Sequence, residues 1–133
     1  MRTDQRARHA VLESLLGRIP LPGSDQPLLF PDLPDLAAQR RVVLVERPED
    51  DLHIPPVPGV ETTMHADDAR EPGTAVLQFM PPEAFEDRVG VRLRVSVVDD
   101  HARLLRLGEV VATFVQDDSG ALVTSQPTHV LAY

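Results

Sequence analysis

Apolar residues recur along this chain with two different periods, and the change from one to the other divides it. Near the start, Val11, Leu12, Leu15, Leu16 and Ile19 fall at spacings of three and four. This predicts an amphipathic helix over residues 4–16, begun by Thr3 and stopped by Gly17 and Pro20. Arg2, Arg6 and Arg8 oppose the helix dipole at that end, so its first turn is expected to fray. In the second half the period is two. Val89, Val91, Leu93, Val95 and Val97 alternate with Gly90, Arg92, Arg94 and Ser96, the signature of a strand with one wet face.

Further strands are predicted over residues 41–46, where four aliphatic residues stand in a row, over 75–80, over 104–115, and from Ala121 towards Leu131. Gly108 predicts a β-bulge, because Leu105 and Leu107 precede it whereas Val110, Ala112 and Phe114 follow with the opposite parity. The run from Asp117 to Gly120 reads as a hairpin turn. Pro127 marks the last strand as an edge or as broken, and residues 81–87 read as a short helix or turn with proline at its start.

Two stretches lack regular periodicity. Residues 20–35 contain Pro20, Pro22, Pro27, Pro31 and Pro34, predicting an extended segment pinned by its leucines, with a short helical turn following over 34–39. Residues 47–73 are proline-rich and acidic, with a short strand expected near 60–64. Together these elements predict one α+β domain spanning residues 1–133. Its N-terminal amphipathic helix packs on a curved, mainly antiparallel sheet of about five or six strands ending in a β-meander. That order is compatible with cone-shaped folds of the nuclear-transport-factor-2-like kind, an analogy of element order that no motif carries.

Composition narrows the chemistry. All thirteen basic residues are arginine, and cysteine and tryptophan are absent. Lysine Schiff bases, thiol nucleophiles, thiolate metal sites and disulfides are therefore excluded. Arginine without lysine, alongside abundant Ala, Val, Leu and Pro, reflects GC-rich coding and points to a bacterial source. No apolar signal region or membrane-length run occurs, so a cytoplasmic location without membrane contact is expected. The net charge is −8, which argues against a non-specific grip on nucleic acid. Residues 46–71 hold eight acids against Arg47 and Arg70, a local balance of −6, so this segment is one candidate contact for a protein partner.

Two clusters bring imidazole and carboxylate together: His65, Asp67 and Asp68, and Asp99, Asp100 and His101. Such groups can relay a proton, although Asp-Asp in a loop is also ordinary turn chemistry. Neither cluster has the spacing of a metal site, and no cofactor is implied. Arg92 and Arg94 share a strand face, and Arg103 and Arg106 lie on the next strand, so a hairpin could gather four guanidinium groups for an anion or an acidic partner. The simpler arrangement is cross-strand pairing with Glu109. No glycine-flanked serine or glycine-rich nucleotide loop is present. The expectation is a non-enzymatic binding or regulatory module acting through protein–protein contacts, as a homodimer. The alternative is a small-molecule-binding or hydrolytic cone-shaped domain with a His/Asp site under the helix.

Overall fold

The computed structural model describes residues 2–17, 20–23, 38–47, 54–81, 83–84, 87–125 and 128–132. The predicted Pro-rich course of residues 24–35 and most of the helical turn at 34–39 lie outside these residues. Among these residues, the α-helix α1 (Thr3–Gly17) precedes β1 (Arg41–Val45), β2 (Glu61–Thr63), β3 (Thr74–Phe79), β4 (Glu83–Ala84), β5 (Arg88–Val98), β6 (Leu104–Gln116), β7 (Leu122–Thr124) and β8 (His129–Ala132). A 3₁₀ turn, Ala66–Ala69, stands between β2 and β3.

The strands form one open sheet in the order β2-β1-β3-β5-β6-β7, with β4 pairing beside β5 and β8 beside β6. The sheet is mixed, a correction to the mainly antiparallel expectation: β1 runs parallel to both β2 and β3, while β3, β5, β6 and β7 pair antiparallel in turn. The physical reason lies in burial. Residues of β1 and β3 are buried on both faces almost throughout, as suits parallel strands covered from two sides, and residues 46–60 and 64–73 supply connections long enough for parallel neighbours. The expected helix or turn at 81–87 is corrected at its centre, because Glu83 and Ala84 are extended and pair with Gly90 and Val89. The last predicted strand is two strands, β7 and β8, both antiparallel to β6.

The core fills the α1 side of the sheet. Ala7, Val11 and Leu12 of α1 meet Leu44, Leu77, Leu93, Val95, Val110 and Phe114, all buried. The buried stripe of α1 also contains Arg8 and Ser14, so it is not purely apolar. Arg8 remains satisfied there because a guanidinium Nη2 donates to the carbonyl oxygen of Met80 at 3.1 Å and its carbon lies 4.9 Å from the centroid of the Phe79 ring. On the opposite face a smaller cluster joins Val43, Val45, Val76 and Val98 beneath Ala69 of the 3₁₀ turn.

The open margin of β7 is covered locally. Thr124 donates its backbone N–H to the carbonyl oxygen of Pro22 at 2.8 Å, and Gly23 follows with φ at +82°. A Cβ there would come within 2.9 Å of Val123 Cβ. Gly23→Ala therefore combines a left-handed backbone with a clash, and an unfolding free energy lower by about 1–2 kcal/mol is expected in urea titration.

Candidate functional site

The arginines and the bulge of β5 and β6 define the surface where functional chemistry was expected. Register places Val95 opposite Gly108 and Ser96 opposite Arg106, so Leu107 is the extra residue of a bulge. The parity change at Gly108 is thus present, and it keeps Val110, Ala112 and Phe114 on the core side. Because residues directly opposite share a face, Arg94 and Glu109 stand together on the face away from α1, with Arg92 two residues along.

The four predicted arginines do not form one patch. Arg92 Nη2 donates to Glu109 Oε2 at 2.8 Å, and Arg94 Nη2 lies 3.6 Å from Glu109 Oε1. Glu109 is 6% exposed, so a buried carboxylate serves two guanidinium groups, while the Nε atoms of both arginines are buried without a hydrogen-bond partner. Arg103 is drawn instead to Asp99 at the hairpin turn, at 3.5 Å. Arg106 stands opposite Ser96, exposed, and has no ion-pair partner among the described residues.

Both His-Asp clusters are engaged in turn construction. Asp99 Oδ1 accepts the backbone N–H groups of His101 at 2.9 Å and Arg103 at 2.8 Å. These bonds, the Arg103 N–H foremost, together with the nearby Arg103 charge, hold the Asp99 carboxyl below its ordinary value of 3.8. Asp100 and His101 are exposed at the tip. In the other cluster, Thr63 Oγ1 donates to Asp68 Oδ2 at 3.0 Å and accepts the His65 N–H at 3.1 Å. Asp67 lies 4.0 Å from Arg70. Neither cluster lies beneath α1: the space there is filled by core side chains, and His65, Asp67 and Asp68 belong to the turn over the opposite face. Among the described residues no group of three or more His, Asp or Glu side chains could hold a metal ion.

The acidic middle is also partly tied down. Arg41 donates from Nε and Nη2 to the two Glu61 carboxylate oxygens at 2.6 and 3.2 Å, and from Nη1 to the carbonyl oxygen of Asp68 at 3.0 Å. This fork links β1, β2 and the 3₁₀ turn, and it holds the Glu61 carboxyl below its usual range. Residues 48–53, which carry three more acids, lie outside the described residues.

Sequence reasoning missed two features. One is a groove of about 340 Å³ between α1 and residues 20–22, walled in part by the contact of His9 Nδ1 with the Glu13 carboxylate; the i,i+4 spacing was its only signal. The other is the outer edge of β6. β8 pairs with Gly108, Glu109, Val110 and Val111, and among the described residues no strand covers residues 104–107 on the side away from β5. Leu104 and Leu105 on that stretch are 37% and 47% exposed. No described helix is long and apolar enough to cross a membrane. No protein-family model matches the chain, and neither a curated protein nor a solved structure matches it.

The turn geometry carries a pH prediction. Asp99 has a folded pKa lowered from 3.8, so its contribution to stability is complete above that ordinary value and is lost as pH falls through the lowered native one. Asp117 behaves alike at the β6–β7 turn, where it accepts from the Ser119 hydroxyl and from the Ala121 and Ser119 N–H groups. In urea titrations run from about pH 6 down to about pH 2, Asp99→Asn and Asp117→Asn should each flatten the acid limb of the stability curve. Unaltered acid sensitivity in both variants would show that these carboxylates are not the titrating groups.

Proposed function

We propose that this chain is a non-enzymatic binding module whose contact surface is the outer edge of β6 at the end of the β5–β6 hairpin. One observation carries the reading: two of the three exposed large hydrophobic residues among those described, Leu104 and Leu105, sit on a strand edge that no other described strand covers. An extended segment laid along such an edge gains main-chain hydrogen bonds and covers the apolar side chains. The remaining candidates supply less. Glu109 occupies two of the four arginines, Asp99 occupies a third, and turn bonds engage the side chains of Asp68 and Asp99.

Native mass spectrometry of the untagged protein, paired with capture on the immobilised chain, tests the reading through Leu105→Lys. The wild type should hold a bound protein, whether a second copy or another chain, and the variant should lose it with its circular dichroism unchanged. Equal protein binding by both would remove the β6 edge as the contact.

A further inference from the structure

We propose that the occupant of this edge is a second copy of the chain, its β6 paired antiparallel to the first about a two-fold axis through Leu105; this rests on the binding-edge reading above. Among the described residues, the stretch of this edge without a partner strand runs from Arg103, where the hairpin turn ends, to Leu107, next to Gly108 where β8 pairs. Leu105 is its centre. Two such stretches overlap most fully when Leu105 lies opposite Leu105.

Backbone polarity agrees with that register. Arg103 accepts the Asp99 N–H at its carbonyl and donates its own N–H to Asp99 Oδ1, so both of its main-chain groups turn towards β5. Alternation along an antiparallel ladder then points the N–H and C=O of Leu104 and Arg106 outward, and those of Leu105 inward. With Leu105 on the axis, Leu104 of each copy stands opposite Arg106 of the other, and each such pair exchanges two hydrogen bonds. Cross-strand neighbours share a face, so the two Leu105 side chains meet on one face and each Leu104 covers the Arg106 stem on the other.

Charge supplies the argument for a second copy over another partner. Arg106 and Asp100 are both exposed and without an ion-pair partner among the described residues. Leu104 is paired with Val98 at the base of the hairpin turn, two residues before Asp100. Arg106, set against Leu104 of the other copy, therefore extends towards that copy's Asp100, and the axis repeats the contact. An isologous interface requires such self-complementarity, which an unrelated strand would match only by accident. A contact of this size falls below the ~1,200 Å² of standard interfaces, so the dimer is expected to be weak and concentration-dependent.

Sedimentation velocity over about 10 µM to 1 mM suits that class of interface. The wild type should show reversible monomer–dimer exchange, and Leu105→Lys should weaken it by about tenfold or more, because an ammonium group on the axis faces its own copy. Asp100→Arg and Arg106→Asp should each weaken self-association by about three- to tenfold. Mixed in equal amounts, these two variants should recover dimerisation, since every cross-axis pair in the heterodimer is again opposite in sign. Circular dichroism guards against unfolding; all three positions are exposed. A wild type that remains monomeric throughout the range overturns the inference, as does failure of the mixture to recover. A monomer that still loses another captured protein on Leu105→Lys would remove the second copy and leave the edge reading intact.

Discussion

Glu109→Ala is expected to lower the unfolding free energy by about 2–3 kcal/mol, with little change in the urea m-value. The Glu109 side chain is 8% exposed and lies between two guanidinium groups on one strand. Its removal leaves Arg92 and Arg94, whose Nε atoms already lack partners, as like charges on neighbouring positions of one face. Breaking a fully buried pair typically costs about 3–5 kcal/mol; here the arginine side chains stay 38% and 23% exposed, and water reduces the penalty. Arg92→Ala should cost less, about 1 kcal/mol, because Arg94 still serves the carboxylate. Equal losses in the two variants would mean that the pairing, not the orphaned charge, sets the cost. A loss below about 0.5 kcal/mol for Glu109→Ala would show the cluster to be energetically neutral.

That cluster was legible before any coordinates, and the reason is local. Alternation along residues 89–97 places Arg92 and Arg94 on one face, and a hairpin with a bulge brings Glu109 opposite, so pairing follows from sequence neighbours alone. The helix was legible for the same reason, since Val11 and Leu12 set its buried stripe. Arg8 was not: its charge argues for solvent, and its burial depends on Phe79 and on Met80, which lies 72 positions away. Parallel pairing was hidden by distance too. The unbroken apolar run of residues 42–45 signals burial on both faces, yet nothing local states that its neighbours are residues 61–63 and 74–77, which lie well further along the chain.

The free edge of β6 was hidden differently. Leu105 and Leu107 read as the inward face of a strand, and nothing in that pattern states which strand lies along its outer edge. The described residues of β8 pair as far as Gly108, and among the described residues no strand lies beside residues 104–107 on that side. Pro127 marked the last predicted strand as an edge or as broken, but where β7 and β8 fall along β6 is a matter of register that the sequence pattern leaves open.

Phe114→Ala should be the most damaging of these substitutions, lowering the unfolding free energy by about 3–5 kcal/mol. Phe114 is 0% exposed and heads the largest fully buried side chains among the described residues, and it sits opposite Val89 and Thr124 in the core on the α1 side of the sheet. Neighbouring residues lie in a hydrogen-bonded sheet and cannot close on the cavity by a small shift. Against a total stability of about 5–15 kcal/mol for a domain of this kind, that is a large fraction. Leu105 provides the control on the same strand. It belongs to the α1 side as well, opposite Val97, because the bulge at Leu107 shifts parity between the two positions. Yet it lies 47% exposed, so Leu105→Lys should change stability by less than about 0.5 kcal/mol. Urea titration of the two variants therefore separates core from contact surface along one strand. A Leu105→Lys loss approaching that of Phe114→Ala would make Leu105 a packing residue and withdraw the β6 edge as a binding surface.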